Sequence, residues 1–392
     1  MKYSYPLITT AALSLLAATQ IQAQTQRVFN NNDGDNLWSN SLNWTTESIA
    51  DTNSEFAQLN GQPIVDANFT INRIQNNFNP SDQVVSSTNG GVLTIDLNTA
   101  GNTGVAIRNV RGGVNPVSNL QFSGNVTIDN TLGGFSNFGF SNSSGDSITF
   151  TNTSVLSVNS IIQTDTSGAT NSVTGFINFN GAITGGNDGS SAGIRIGAGD
   201  TGVTFGATAD NTGYEGDIAI FAGSSVTSNT IIAGGFLNTG HKIQVNGDGA
   251  SLVLNGAGGM QGNVVIANNN GFTLDVNANQ SSLGFLNLGT GSSLTLDIDA
   301  SVTELFFTDS ASIDWLTGTV AISGFKENTI RFGTDASGLT VDQLNAIDGG
   351  AYSITDQGFL TAVPEVGAFG VILGMFALSL VSSRSRARKT QA

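Results

Sequence analysis

Two neighbouring segments decide the fold: Phe272-Thr273-Leu274-Asp275-Val276 and Leu294-Thr295-Leu296-Asp297-Ile298. In both, apolar and polar residues alternate, which is the period of a β-strand with one buried face and one face in water. Clusters of Gly, Asn, Asp and Ser, residues that favour turns, lie between such segments. The sequence therefore predicts strands here, with the leucines in the core and the aspartates outside.

The same alternation recurs along most of the chain. Its other apolar positions are Leu93/Ile95/Leu97, Leu120/Phe122, Val126/Ile128, Ile148/Phe150, Leu156/Val158, Ile177/Phe179, Val203/Phe205, Ile218/Ile220, Ile243/Val245, Leu252/Leu254 and Val264/Ile266. No amphipathic helix of useful length lies between them. Fifty glycines and only 11% charged residues suit a repetitive chain with many tight turns, and 39% hydrophobic residues suffice for a core. The prediction is an all-β protein.

The spacing of the segments suggests how the strands are arranged. Three strands in each coil would give a repeat of roughly 25–35 residues, which is in the range of stacked repeat architectures. We therefore predict a right-handed parallel β-helix, or solenoid, over residues 91–300, because this stretch is long for one sandwich and has no natural break. An antiparallel β-sandwich or jelly roll, which also has many short strands, is the alternative.

Residues 24–90 are predicted to form an N-terminal β cap. Trp38 and Trp44 would face one side of an extended segment and fill the core. This element resembles the start of bacterial proteins with autotransporter-associated β-strand repeats. Asp33, Asp35 and Asn36 could instead form a Ca²⁺ loop, but the bidentate Glu of an EF-hand is missing, so a turn is favoured. No cofactor and no metal site is predicted.

Residues 301–362 are predicted to form a C-terminal cap with one short helix. Thr340 and Gln343 fit a capping box at the start of that helix, and Leu344 with Ile347 would face the core. A last strand is predicted through Tyr352, Ile354 and Phe359. Such a cap is needed because an open last coil would expose the edges of its strands.

Both ends of the chain have the character of targeting segments. Residues 1–23 read as a secretory signal peptide, with Lys2, an apolar stretch from Leu7 to Ala18, and cleavage between Ala23 and Gln24. Residues 363–392 begin with Val363-Pro364-Glu365 and continue into an apolar segment, predicted to be a transmembrane helix over about 366–383. A basic tail over 384–389, with Arg384, Arg386 and Arg388, would place that end in the cytoplasm.

This order of motif, apolar helix and basic end resembles the PEP-CTERM sorting signal of Gram-negative bacteria, with Val366 where the family usually has a second proline. The segment Ile330-Arg331-Phe332-Gly333-Thr334 and the residues after it resemble the stretch before the signal in PEP-CTERM repeat proteins of Verrucomicrobia-like bacteria. The resemblance implies an exosortase-type sorting enzyme as a partner and an exopolysaccharide matrix as the surroundings. A plain C-terminal anchor is the alternative for the tail.

Charge and cysteine content exclude several functions. Between residues 24 and 365 the chain has eight basic and 29 acidic residues, a formal net charge of −21. Such a surface repels nucleic acid, so no nucleic-acid partner is predicted. The chain has no cysteine, which excludes disulfides, thiolate chemistry and Cys-based metal sites.

Few residues suggest catalysis. The one histidine, His241, is interpreted as a surface turn residue, since nothing in the sequence orients a triad around it. Asp297 and Asp299 share an outward face, and Asp275 would lie on a neighbouring coil, which is the minimum for a glycosidase. A lyase would also need a basic residue, but Arg108, Arg195 and Lys242 are scattered along the chain. Outward acids on a solenoid more often serve solvation.

The sequence thus predicts an exported, non-enzymatic structural or adhesive protein of the cell surface or extracellular matrix. It would be held in the inner membrane by its C-terminal helix at least transiently. The alternative is a polysaccharide lyase or glycosidase on a β-helix scaffold.

Overall fold

The computed structural model describes residues 25–77, 82–96, 104–110, 119–129, 137–142, 146–159, 161–164, 175–186, 193–197, 202–209, 212–229, 241–258 and 262–363. In these residues the chain is nearly all β and winds into a parallel β-solenoid of about nine turns. The pairs of strands in these residues are parallel except one, in which Tyr352–Ile354 pairs antiparallel with Leu360–Ala362. The prediction of a parallel solenoid is confirmed, and the antiparallel sandwich is excluded for this part of the chain.

Two long sheets run the length of the solenoid. The first long sheet has 11 strands, paired in the order Thr25–Phe29, Glu55–Leu59, Arg73–Asn77, Gly104–Val110, Asn137–Asn142, Ile161–Gln163, Gly193–Ile196, Asp217–Ile220, Lys242–Val245, Asn263–Ile266 and Leu286–Leu288. The second long sheet also has 11, in the order Ile64–Val65, Gln83–Ser87, Asn119–Phe122, Ser147–Phe150, Phe176–Phe179, Val203–Phe205, Ser225–Ser228, Ala250–Leu254, Gly271–Val276, Ser293–Ile298 and Thr319–Ser323.

The described residues also form three smaller sheets. The short sheet contains Phe69–Ile71, Val92–Asp96, Asn125–Asp129, Val155–Val158 and Ala182–Gly185. The end sheet contains Gln280–Leu283, Leu305–Phe307 and Ile330–Phe332, and an antiparallel pair joins Tyr352–Ile354 to Leu360–Ala362. The one α-helix in the described residues is Val341–Ala346, and Ser41–Asn43 form a 3-10 helix.

The predicted coil of three strands holds for only part of the solenoid. In the short sheet, Leu93 pairs with Val126 and Val126 pairs with Leu156, so a turn there takes 33 and then 30 residues. Beyond Gly185 the described residues continue the short sheet only as a single parallel bridge to Tyr214, and Leu252 and Leu274 lie side by side only 22 residues apart. The next turn, from Leu274 to Leu296, also takes 22 residues although it contains the strands Gln280–Leu283 and Leu286–Leu288, so the shorter repeat comes from shorter links between strands.

The interior consists of columns of like residues. Four phenylalanines on successive strands of the second long sheet stack with ring centroids 5.1, 5.5 and 5.2 Å apart. These rings belong to Phe122, Phe150, Phe179 and Phe205, and each is at most 1% exposed. Parallel in-register pairing places identical positions one strand spacing apart, about 4.8 Å, which is close to the distance at which offset aromatic rings attract. The alternation seen in the sequence thus becomes a continuous apolar core.

The two N-terminal tryptophans are buried as predicted, but the segment between them is not extended. Trp38 and Trp44 are at most 1% exposed, and their ring centroids lie 5.0 Å apart. Six residues of extended strand would span about 20 Å. The rings meet because the 3-10 helix between them turns the chain back, capped by the side chain of Asn40, which accepts a hydrogen bond from the Leu42 N–H.

The predicted helix near residue 341 is confirmed, including its cap. The Gln343 N–H donates to Thr340 Oγ1, and the Thr340 N–H donates to Gln343 Oε1. Ile347 is fully buried and Leu344 packs against the core. The single last strand predicted through Tyr352 and Phe359 is wrong, because the chain reverses at Gly358, whose φ is +83°, and forms two antiparallel strands.

Candidate functional site

The acids that the sequence singled out lie side by side on the outer face of the second long sheet. Asp275 and Asp297 occupy paired positions on adjacent strands, between buried neighbours on either side. Asp275 is half-buried and Asp297 is exposed. Asp299 follows two residues later and is also exposed. The predicted juxtaposition on neighbouring coils is therefore present.

The environment shifts the pKa values of Asp275 and Asp299 in opposite directions. Burial, with added repulsion from Asp297 and Asp299, raises the pKa of Asp275 against the opposing hydrogen bond from Asn277. The pKa of Asp299 is lowered, first by the hydroxyl and then by the N–H of Ser301, which donates to Asp299 Oδ1 at 2.7 Å. Two acids with opposite pKa shifts resemble the acid and base of a glycosidase. However, neither Asp275 nor Asp299 lines the cleft at the C-terminal end of the solenoid.

The basic residues considered for a lyase are on another sheet. Arg108, Arg195 and Lys242 belong to strands of the first long sheet, whereas the acids belong to the second. The structure does not bring these groups together. The cation that acts on Asp299 is Lys326, which the sequence reading missed. Its Nζ also donates to the carbonyls of Ala300 and Val302.

An asparagine ladder runs beside the acids. Asn255 Nδ2 donates to Asn229 Oδ1 at 3.0 Å, and Asn277 Nδ2 donates to Asn255 Oδ1 at 3.1 Å. These residues come from three successive turns. Because each amide has one donor and one acceptor end, the ladder can continue from turn to turn. It ties the coils together along an exposed edge.

The acidic N-terminal loop holds its carboxylates with asparagine amides. Asn40 Nδ2 donates to both Asp33 and Asp35, and Asn43 Nδ2 donates to Asp35. These bonds lower the pKa of Asp35, that from Asn40 most. Asn36 has φ +61°, a turn conformation. In the described residues no group of three or more His, Cys, Asp or Glu side chains could hold a metal ion.

His241 is not a surface residue, contrary to the prediction. It is only 8% exposed, and its Nδ1 has no hydrogen-bond partner. It is buried because it directly precedes the strand Lys242–Val245, and its carbonyl accepts the N–H of Asn263 on the next turn. No described serine or aspartate side chain is hydrogen-bonded to it, so no triad is assembled there.

A cleft of about 360 Å³ lies on the end sheet, at the C-terminal end of the solenoid. Its lining residues include Phe306, Arg331, Asp309 and Asp335. Arg331 stacks on Phe306, with its guanidinium carbon 3.9 Å from the ring centroid. Sequence reasoning missed this site because its residues come from three separate segments that only the coiling brings together.

The predicted processing residues lie almost entirely outside the described part of the chain. Val363 is 44% exposed, and its N–H donates to the carbonyl of Ala351. Pro364, Glu365, Arg384, Arg386 and Arg388, as well as the predicted cleavage pair Ala23 and Gln24, are outside the described residues. Among the described residues there is no helix with the length and apolar character needed to cross a membrane.

Comparison with protein families, with curated proteins and with solved structures finds no match to this chain.

Proposed function

We propose that this protein is an exported, non-enzymatic structural or adhesive component of the cell surface or extracellular matrix. The observation that carries the proposal is the pair of 11-stranded parallel ladders, which make one continuous rod-like core. Stacked asparagines and phenylalanines connect successive turns along it. Such a scaffold offers length and stiffness without disulfides, which suits a chain that contains no cysteine.

We infer that the two ends of the solenoid are capped and that its winding is right-handed, as parallel strand crossovers almost always are. At the N-terminal end, Trp38 and Trp44 cover the first coils. At the C-terminal end, residues that follow the last strands form hydrogen bonds with backbone groups of those strands in three sheets. Trp315 Nε1 donates to the Leu286 carbonyl, the Ile322 N–H donates to Asp348, and the Phe332 N–H donates to the Gly358 carbonyl. Closed ends prevent pairing with other chains.

Delivery rests on the two terminal segments. In this proposal the signal peptide exports the chain, and the C-terminal segment is read by an exosortase-type enzyme at Val363-Pro364-Glu365. The apolar helix would hold the protein in the inner membrane until sorting, with Arg384, Arg386 and Arg388 on the cytoplasmic side. A glycan matrix is then the surroundings of the mature protein. The support is the order of the sequence motifs.

The second candidate function is a polysaccharide lyase or glycosidase. The one observation in its favour is the pairing of Asp275, whose pKa is raised, with Asp297 on the next strand. Against it, these acids lie on an outer sheet face, with Arg108, Arg195 and Lys242 on the other long sheet. An outer face without a subsite for the sugar cannot hold a substrate in position for reaction.

One experiment separates the two functions. The purified protein is incubated with a panel of neutral and acidic polysaccharides, and reducing ends and unsaturated products are measured over time. The proposal expects no product above the level of the Asp275→Asn/Asp297→Asn variant. Product formation that this double variant abolishes would overturn it. Intact mass of the exported protein tests delivery, with ends expected near Gln24 and Glu365.

A further inference from the structure

We propose that the cleft on the end sheet, defined by Ser281, Phe306, Asp309, Arg331, Thr334 and Asp335, binds an uncharged saccharide unit. The inference deepens the adhesive part of the proposed function and rests on it. Its volume of about 360 Å³ is at the lower end of the range of small-ligand clefts, ~300–1,000 Å³. A short oligosaccharide is an occupant of matching size.

Arg331 brings a positive charge to the cleft. Its guanidinium carbon lies over the ring of Phe306, 3.9 Å from the centroid, and is 5.8 Å from the centroid of the Phe359 ring. Its Nε is buried and has no hydrogen-bond partner, and within the described residues no ion pair engages the side chain. A guanidinium has five N–H donors and needs acceptors when it is desolvated. The buried Nε is out of reach of a ligand, but the terminal Nη groups of Arg331 also have no hydrogen-bond partner within the described residues, and a ligand in the cleft can supply acceptors to them.

Two exposed acidic residues, Asp309 and Asp335, belong to the same cleft. Asp309 Oδ1 accepts the N–H of Ala311, and Asp335 Oδ1 accepts from the N–H and the hydroxyl of Ser337. These bonds fix the direction of each carboxylate and lower the pKa of Asp335. In each group the second oxygen remains an acceptor within the described contacts. Within the described residues neither carboxylate forms an ion pair with Arg331. The guanidinium donors and the carboxylate acceptors therefore do not satisfy one another.

Close backbone contacts make the walls of the cleft rigid. A Cβ on Gly338 would lie 1.9 Å from the carbonyl oxygen of Phe332, so this close approach of two backbones requires glycine. Gly358, with φ +83°, brings its backbone over the stem of Arg331. The strands Leu305–Phe307 and Ile330–Phe332 are paired in register beneath. The polar groups are thus held before any ligand arrives, which reduces the entropic cost of binding.

The class of ligand follows from these groups together. A hydroxyl can accept a hydrogen bond from a guanidinium and donate one to a carboxylate at the same time. Adjacent hydroxyls on a sugar ring match a site with one fixed cation and two fixed carboxylates. An acidic sugar is disfavoured, because the site has one positive and two negative groups and the chain as a whole has a net charge of −16. The occupant is therefore a neutral saccharide.

The test is a calorimetric titration of the full-length protein with cellobiose, maltose, lactose and xylobiose, and with digalacturonate as the acidic arm. At least one neutral disaccharide is expected to bind. Asp309→Asn and Asp335→Asn are each expected to weaken its affinity about tenfold, because each removes one charge-assisted hydrogen bond. Asp314→Asn is the matched control. Asp314 lies outside the cleft, and its Oδ1 accepts an N–H two residues later, from Leu316, as that of Asp309 does from Ala311.

A second readout uses Arg331 itself. The Nε–H resonance of Arg331, followed by nuclear magnetic resonance, is expected to shift on titration and to be absent in Arg331→Gln. The proposal is overturned if no neutral disaccharide binds, if Asp309→Asn and Asp335→Asn bind as tightly as Asp314→Asn, or if digalacturonate binds more tightly than every neutral sugar. Each of these results leaves the structural role standing, whereas product release from polysaccharide overturns the proposed function.

Discussion

Asp275 and Asp297 occupy paired positions on adjacent parallel strands, so the backbones that carry these two acids are one strand spacing, about 4.8 Å, apart. Asp299 adds a third negative charge on the same side of the sheet, and burial adds to the cost of ionising Asp275. Like charges at paired positions destabilise a sheet.

The first prediction concerns this pair and pH. Because the pKa of Asp275 is raised in the folded state, ionisation destabilises the fold as pH rises through the ordinary value of 3.8 towards the folded value. Asp275→Asn should therefore be more stable than the wild type at pH 7, by up to about 0.5 kcal/mol because water screens the site. Below pH 3 the two proteins should be equally stable.

Thermal unfolding at several pH values measures this difference. The same comparison at high salt is the control, since salt screens the repulsion from Asp297 and Asp299 and should reduce the gain. An equal gain at pH 2.5 and pH 7 would show that the charge is not its cause.

The second prediction concerns the phenylalanine column. Phe179 stacks between Phe150 and Phe205, and it is completely buried. Phe179→Ala should lower the free energy of unfolding by about 3–5 kcal/mol, through lost burial and the cavity left behind. Phe176 is the matched control, because it lies on the same strand but is 52% exposed.

Phe176→Ala should change the free energy of unfolding by no more than about 0.5 kcal/mol. Urea denaturation followed by circular dichroism gives both values. Equal effects at the two positions would contradict the assignment of inner and outer faces.

The third prediction concerns Gln343. Its Nε2 donates to the carbonyls of Ser310 and Ile313 at 2.8 and 2.7 Å, and its Oε1 accepts the Thr340 N–H. Gln343→Ala leaves these groups without partners in a buried place, which should lower the free energy of unfolding by about 2–4 kcal/mol. The C-terminal segment should then become accessible to proteases before the rest of the chain.

Asn345→Ala, on the exposed side of the same helix, serves as the control and should alter stability by less than about 0.5 kcal/mol. Limited proteolysis with mass spectrometry locates the first cuts. Cuts spread evenly over the solenoid would argue against a local role of Gln343.

The fourth prediction concerns the asparagine ladder. Asn255 both donates to Asn229 and accepts from Asn277. Asn255→Ala breaks both bonds, but water can replace them at this exposed position, so the loss should be only about 1 kcal/mol. Asn255→Asp keeps an acceptor for Asn277. At pH 7 its carboxylate has no donor for Asn229, so the variant should lie close to Asn255→Ala, whereas at pH 3 the protonated carboxyl group can donate to Asn229 and the variant should lie closer to the wild type. Urea titration at pH 3 and pH 7 measures both variants.

Sequence alone determined the strands, their buried faces and the capped helix at Val341–Ala346. These features depend on alternation with period two and on a capping box, which act over a few residues. Asp275 beside Asp297 was also foreseeable, because two neighbouring segments with the same pattern stack in register. The 3-10 turn between Trp38 and Trp44 and the final hairpin were missed, since single turn residues decide them.

Only the tertiary structure decided between parallel and antiparallel pairing, and only it fixed the number of strands in each turn, the burial of His241 and the cleft. The cleft joins Phe306, Asp309, Arg331 and Asp335, which are brought together by the stacking of separate coils. Periodicity tells which side of a strand is buried but not which strand lies next to it, because parallel and antiparallel sheets bury the same alternating residues. In a solenoid, the length of each turn determines which strands lie next to each other. That length depends on packing along the whole core.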